Sequence, residues 1–475
     1  MKRGIMLITY PDSLGSNLAQ LHEILNTHFS KAIKSIHVLP FFPSSGDRGF
    51  APLHYESVDP KFGTWDDIDR LAKQYDLVFD YMINHISAQS PLLVNYLKEG
   101  PHSSEKDLFI DYESFFEGEP SEEEVGRIYK RKPKDPYHTV TFENGETKKL
   151  WCTFSEQQID LNVQTDTGEA FLKANLERLA LHGAKLVRLD AFAYAIKKRE
   201  TDCFFVEPET WQLMAKCRSI VEPFGSDVLP EIHEHYSIQL KLSGNSYPVY
   251  DFALPMLMLH ALYFHQTQYL RNWFSICPRN QYTTLDTHDG IGVVDVYGLL
   301  PDEEIEKTKE HLYAYGANVK RIYNSEKYNN LDIYQINCTY YSALGDNDRA
   351  YLLARAVQFF SPGIPQIYYV GMLAGKNDLE LLEETKEGRN INRHYYSKEE
   401  VEQEVQRPVV KALLLLMELR NSHPAFDGIF HMEESDDDTH LTINWEHRGK
   451  AITLKADFEQ YSFIIEENDH VLMRL

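Results

Sequence analysis

Eight short apolar runs recur along the chain with helix-like segments between several of them, and no other feature constrains the fold as tightly. The runs are Gly4–Tyr10, Ser35–Phe41, Leu77–Ile83, Ala184–Asp190, Asp227–Ile232, Pro248–Phe252, Tyr282–Asp286 and Ile364–Tyr369. Thr167–His182 and Pro208–Val221 read as helices between them. Strands that are apolar on both faces are buried on both, and their alternation with helices makes neighbouring strands parallel. The expectation is an α/β protein built on a closed TIM (β/α)8 barrel.

One such barrel takes roughly 250 residues, and the uneven spacing of the runs shows where the rest of the 475 go. The third and fourth runs are separated by residues 84–183, where a loop of about 2–6 residues is usual. That gap holds a charged, aromatic-rich stretch ending in Trp151–Leu161. A second long gap covers about 290–349. Beyond Asp427 the pattern changes to short alternating runs, such as Leu441–Trp445, Ala451–Leu454 and Tyr461–Ile465. We expect barrel segments at 1–83, 167–289 and 350–427, an inserted domain B at 84–166, a second insert B′ at 290–349, and a small C-terminal β domain at 428–475.

Acidic residues number 72 against 48 basic, a net charge of −24. A field of that sign repels phosphate backbones and argues against nucleic acid as a partner. Any anionic co-substrate then needs a few local cations. The N-terminal MKRGIMLITYPDS ends its apolar run in Tyr-Pro-Asp without a small-residue cleavage site, so it reads as a first strand and not a signal peptide. No run approaches the ~20 residues of a membrane span. Five scattered cysteines (Cys152, Cys203, Cys217, Cys277, Cys338) without CxxC spacing fit reduced thiols. A cytoplasmic protein, monomer or homodimer, with no membrane partner, is expected.

Barrel chemistry sits at the C-terminal ends of the strands, so the search narrows to a few windows. The fourth run reads Lys185-Leu-Val-Arg188-Leu-Asp190; alternation puts Arg188 and Asp190 on one face. An arginine would hold that carboxylate ionised, as a nucleophile needs. An ion pair serving only the fold fits this window equally well. The fifth run ends at Glu231, where a raised pKa would suit a proton donor. His233 and His235 follow it, and locally bonded loop histidines read better there than metal ligands. The seventh ends Asp286-Thr-His288-Asp289-Gly290, the third Asp80-Tyr-Met-Ile-Asn84-His85. Each window is weak alone; four in order, each closing a strand, are not chance. Three acids around one sugar ring supply a nucleophile, a proton donor and a group that fixes ring hydroxyls, and a retaining mechanism wants the first two about 5–5.5 Å apart.

Read in order, Asp80–His85, Arg188–Asp190, Glu231 and His288–Asp289 resemble the four motif regions of glycoside hydrolase family 13, the α-amylase clan. Longer phrases narrow the likeness to the branch of the clan that phosphorolyses sucrose: PFFPSSGDRGFAP (40–52), FFVEPE (204–209), LDTHDGIGVVD (285–295), QINCTYYSALG (335–345), PGIPQIYYVG (362–371) and GRNINRHYY (388–396). The likeness runs from residue 7 to about 427. It implies retaining transfer of the α-glucosyl group of sucrose to inorganic phosphate, giving α-glucose 1-phosphate and fructose. It implies Asp190 as nucleophile, Glu231 as general acid/base, Asp289 as transition-state stabiliser and Arg188 as the nucleophile's partner. Asp47, His85, His288 and Arg393 would grip the glucosyl hydroxyls, and Phe50, where most amylases carry tyrosine, would stack on the ring. Phe154, Gln158, Tyr194 and Gln335 would line the site or its acceptor side. A loop around Asp332 and Tyr334 would exchange a fructose-binding arrangement for a phosphate-binding one, with Tyr334 and Arg131 or Lys132 meeting the phosphate. No cofactor or metal is implied.

The nearest alternative within this chemistry is a phosphorylase for sucrose 6′-phosphate, which by the same resemblance carries histidine where Tyr334 stands; glucosylglycerate phosphorolysis is a further one. A plain hydrolase is disfavoured by QINCTYYSALG. A non-catalytic transporter partner or a pure sugar-binding module is disfavoured because all three acids are present.

Overall fold

The computed structural model describes residues 4–130, 134–317, 335–468 and 470–475. Eight strands answer the eight runs: β1 Met6–Thr9, β2 Ser35–Val38, β3 Asp76–Met82, β4 Ala184–Asp190, β5 Asp227–Pro230, β6 Val249–Asp251, β7 Gln281–Thr284 and β8 Ile364–Tyr368. They share one sheet in the order β6-β7-β8-β1-β2-β3-β4-β5, which is chain order read cyclically. The registered pairs are parallel. This is the expected (β/α)8 barrel. The seventh run was expected to reach Asp286, yet its ladder stops at Thr284. There the Thr284 hydroxyl donates to the Asp286 carbonyl at 2.7 Å and turns the chain out of the sheet.

The chain forms two compact units. In Val38–Ile232, β3, β4 and β5 are followed or joined by helices α1 Asp166–Leu181 and α2 Glu209–Val221. Thr165 caps α1 by accepting the Gly168 N–H at 3.1 Å. Gly168 is required there, because a Cβ would stand 1.9 Å from the Asn162 carbonyl oxygen. Leu172, Leu176 and Leu179 bury one stripe of α1 at helical spacing. Between β3 and α1 lie short helices, a hairpin of Tyr137–Thr141 with Thr147–Trp151, and a two-stranded ribbon of His85–Ser87 with Gln158–Asp160. Ile86, Leu93, Leu150 and Ile159 form one core there, and Tyr112, Phe116 and Trp151 belong to another.

The second unit, Met1–His37 with His233–Leu475, holds β1, β6, β7 and β8. It also holds the helix α3 Asp348–Phe360 and a five-stranded antiparallel meander, β9 Ile429–Met432, β10 His440–His447, β11 Lys450–Asp457, β12 Ser462–Glu467 and β13 His470–Arg474. On α3, the fully buried Arg355 donates to Asp286 at 2.6 Å and to Gln358 at 2.8 Å, tying the exit of β7 to the helix. The Trp445 indole donates to the Phe360 carbonyl at 2.7 Å and seats the meander on α3. All five cysteines are buried free thiols. Among the described residues no helix is long and apolar enough to cross a membrane.

One buried acid gives this unit a pH signature. Asp251 on β6 is fully buried, and desolvation pushes its carboxyl from the usual 3.8 to about 7. That push prevails over hydrogen bonds from the Trp273 indole, the Leu254 N–H and the Gln281 amide. The native state therefore holds a proton between about pH 4 and 7 that the unfolded chain has released, so stability falls as pH rises through that window and levels off above it. Asp251→Asn is expected to remove this slope. Denaturant unfolding from about pH 5.5 to 8 should show wild type losing stability relative to the variant until about 7, and parallel curves overturn the assignment.

Candidate active site

Arg188 organises the acids of the Val38–Ile232 unit. Register places it in β4 opposite Asp80 of β3, with Asp190 opposite Met82. Its Nη1 donates to Asp80 Oδ1 at 2.6 Å and to Asp190 Oδ1 at 2.8 Å, while Nη2 lies 3.8 Å from Glu231 Oε1. One guanidinium thus faces both Asp190 and Glu231. The Asp80 carboxylate is completely buried, whereas those of Asp190 and Glu231 keep 14% and 13% exposure. Asp80 is therefore the structural anchor of the arginine, and the other two carboxyls are the accessible ones. The Glu231 N–H donates to the Leu189 carbonyl at 3.0 Å, carrying the ladder one residue beyond β5. Glu231 Oε2 accepts the Ala191 N–H at 3.0 Å. Ala191 takes φ 53 to aim that amide, a left-handed backbone that costs a non-glycine residue about 1–2 kcal/mol.

Several expected sugar contacts gather beside this cluster. The Phe50 ring lies 5.8 Å from the Arg188 guanidinium carbon. Its carbonyl accepts from His85 Nε2–H at 2.9 Å and from the Gln158 amide at 3.0 Å. Burial lowers the His85 pKa, against the opposing pull of Asp160, the Phe50 carbonyl and Asp47, so the imidazole is neutral near pH 7. Its Nδ1 is buried and has no hydrogen-bond partner among the described residues; with Nε2 as donor, that nitrogen is left as an acceptor. Asp47 is exposed on a tight turn, at φ 45. Gly49 closes the turn at φ +109, where a Cβ would come within 2.8 Å of the Pro40 carbonyl oxygen.

Phe154 and Tyr194 stand in a row of edge-to-face rings, His85–Phe154 at 5.6 Å, Phe154–Tyr194 at 5.2 Å and Tyr194–Phe204 at 5.0 Å. The buried Lys197 fixes the row: its ammonium lies 2.7 Å from Asp160 and 2.8 Å from Asn84, and it donates to the Tyr194 carbonyl. A pocket opens beside Tyr194, lined also by Tyr129, Lys130, Lys134, Trp151 and Lys197.

In the other unit, the turn after β7 carries His288 and Asp289, 3% and 8% exposed. His288 Nε2 lies 3.4 Å from Asp289 Oδ2, and Arg389 Nη1 lies 3.1 Å from Asp289 Oδ1. Arg393 Nε donates to the His288 carbonyl at 3.0 Å, and its guanidinium carbon lies 5.7 Å from the Tyr10 ring centre. Gln335 Oε1 accepts the Gly290 N–H at 3.4 Å, and Ile291–Gly292 pairs antiparallel with Gln335–Ile336. His233 Nδ1 lies 3.3 Å from Asp295 and its ring stacks on Phe252 at 3.8 Å. Arg131, Lys132, Asp332 and Tyr334 lie outside the described residues.

A family model for the α-amylase catalytic domain matches residues 30–246. The chain is 52% identical over 471 residues to the sucrose phosphorylase of Streptococcus mutans, covering 98% of both chains. The chain belongs to the α-amylase family, glycoside hydrolase family 13. The glucosylglycerol phosphorylase of Marinobacter adhaerens is 46% identical over 448 residues, 94% of this chain and 93% of the relative. The crystal structure of sucrose 6F-phosphate phosphorylase from Thermoanaerobacter thermosaccharolyticum superposes with a TM-score of 0.94 at 40% identity, covering 100% of this chain and 98% of that one. Within its branch of the α-amylase family, this chain is an enzyme of the glycoside phosphorylase type.

Three side-chain pairings escaped the sequence reading. Asp80 stood inside a recognised motif, but its pairing with Arg188 exists only once β3 and β4 are in register. Lys197 carried no motif signal. Arg389 lay within GRNINRHYY, four residues before Arg393, and went unnamed.

Proposed function

We propose that this enzyme transfers the α-glucosyl group of sucrose to inorganic phosphate with retention of configuration. The observation that carries the reading is the pair of accessible carboxyls, Asp190 and Glu231, facing one buried guanidinium at the ends of β4 and β5. Asp190 Oδ attacks the anomeric carbon as the bond to the fructosyl oxygen breaks, and Glu231 gives that oxygen its proton. Fructose leaves. An oxygen of inorganic phosphate then attacks the same carbon, the ester to Asp190 breaks, and Glu231 takes the phosphate hydroxyl's proton. Two inversions leave the α configuration.

By its place in the family motif, Asp289 would hold the ring hydroxyls in the strained transition state. His85, whose Nδ1 is left as an acceptor, suits a sugar hydroxyl, with Asp47, His288 and Arg393 as its companions and Phe50 against the ring. Gln158, Phe154, Tyr194 and Gln335 complete the donor and acceptor sides. Tyr334 with Arg131 or Lys132 would receive phosphate, and Asp332 would receive fructose.

Identity to the Streptococcus mutans relative favours sucrose as donor. A second reading, sucrose 6′-phosphate, draws on the likeness to the solved sucrose 6F-phosphate phosphorylase, 40% identical over the whole chain. The deciding experiment supplies phosphate with sucrose, sucrose 6′-phosphate or glucosylglycerol and follows α-glucose 1-phosphate by NMR. Sucrose is expected to lead in kcat/KM by at least about tenfold. A lead for either rival moves the assignment to that donor, and β-glucose 1-phosphate as product overturns the mechanism.

A further inference from the structure

We propose that Phe204 is a positioning residue for the acceptor side, holding the rings of Tyr129 and Tyr194 in the arrangement that lets phosphate outcompete water for the glucosyl ester. The inference rests on the phosphorolysis reading given above. In that reading Tyr194 lines the acceptor side, and Arg131 or Lys132, which follow Tyr129 closely in the chain, meets phosphate. The Phe204 ring stacks on Tyr129 at 4.4 Å with an interplanar angle of 30°, and meets Tyr194 edge-to-face at 5.0 Å and 74°. Tyr129 and Tyr194 lie 6.2 Å apart, so the closer contacts of the triad both run through Phe204. Tyr194 is buried and the other two are half-buried, so the triad reaches from the interior to the rim. A pocket lined by Tyr129, Tyr194 and Cys203 opens there.

The backbone around Phe204 is built to present that ring. Its neighbours Cys203 and Phe205 take φ 57 and φ 47, a left-handed conformation that non-glycine residues keep only where their surroundings hold them. They are held. The Cys203 N–H donates to the Thr201 hydroxyl at 3.1 Å, and that hydroxyl donates to the Lys198 carbonyl at 2.7 Å. The Phe204 N–H donates to the Asp202 carboxylate at 3.1 Å, and the Phe205 N–H to the Ala193 carbonyl at 2.8 Å. The Asp202 carbonyl in turn accepts the Tyr129 N–H at 2.8 Å, so the turn that aims Phe204 also ties down the backbone of its stacking partner. A ring that only filled space would be fully buried and would not call for two left-handed neighbours. Phosphate and water compete for one ester, and water is always in excess. Phosphate wins when the groups around it are already in place, since ordering them at the moment of binding would cost affinity.

The test uses α-glucosyl fluoride, which loads the glucosyl site whatever the natural donor, and reads the ratio of glucose 1-phosphate to glucose formed at subsaturating phosphate. Phe204→Ala is expected to lower that ratio roughly tenfold, while single-turnover release of fluoride stays within about twofold of wild type. Phe204→Tyr restores the ring and should return the ratio to within about twofold. Tyr129→Ala should lower the ratio by a similar factor, and the double alanine variant should be no worse than either single one, because the two rings act as a unit. Should Phe204→Ala fail to fold, Phe204→Leu keeps an apolar side chain without the ring, and the same ratio is read from it. An unchanged ratio in the folded variant overturns the proposal, as do additive losses in the double variant. Fluoride release that falls as far as glucose 1-phosphate also overturns it, since Phe204 would then support the fold alone. A wild type that forms glucose and no glucose 1-phosphate from the fluoride removes the phosphorolysis reading itself, and this inference with it.

Discussion

Asp190→Asn should reduce phosphorolysis by at least about 10⁴-fold, some 5.5 kcal/mol of barrier, while leaving the fold in place. The asparagine carbonyl can still accept from Arg188 Nη1, now 2.8 Å from Asp190 Oδ1. The guanidinium also keeps its buried partner Asp80 at 2.6 Å, so no charge is stranded in the core. What disappears is the nucleophile: an amide does not form the glucosyl ester. Thermal unfolding should shift by only a few degrees, which separates lost chemistry from lost structure. Asp190→Gly sharpens the test by opening room on the attacking face. With azide and α-glucosyl fluoride, it should yield β-glucosyl azide, because the external nucleophile makes a single inversion. Full turnover in Asp190→Asn, or an α-azide from Asp190→Gly, would assign the nucleophile elsewhere.

The barrel was legible because short, largely apolar runs alternate with helical segments, and the strands they form are buried on both faces, as in a sheet covered on both sides. Strand ends were less so. Thr284 ends β7 through its own side chain, a local hydrogen bond that outweighs the apolar pattern running on to Asp286. Within the site, Arg188 and Asp190 could be placed on one face from the period of two alone. The choice between a structural pair and an active one could not, since both use the same residues. The register of β3 on β4 brings in Asp80, and its complete burial beside the partial exposure of Asp190 divides the two tasks. That contact joins residues 108 apart in sequence, and no local pattern encodes it. Arg389 was hidden for a related reason: its partner Asp289 is a hundred positions away.

Glu231→Gln should separate donors by how much help their leaving groups need. Departure of fructose requires a proton on the glycosidic oxygen, and a glutamine amide has none to give at useful acidity; kcat on sucrose should fall by about 10³-fold. Fluoride leaves as a weak base without protonation. The first step on α-glucosyl fluoride should therefore slow by no more than about tenfold, read by single-turnover release of fluoride. Geometry permits the exchange, since the glutamine carbonyl can accept the Ala191 N–H that Glu231 Oε2 accepts at 3.0 Å. The covalent ester then accumulates, because water cannot be deprotonated for the second step, and azide, which needs no base, should release it as α-glucosyl azide. The two variants thus predict opposite anomers from the same donor and the same added nucleophile: β when Asp190 is removed, α when Glu231 is replaced. Equal losses of Glu231→Gln on sucrose and on the fluoride would mean that Glu231 orients the site through Arg188 and Ala191 without delivering a proton, and the acid would then have to be sought on another residue.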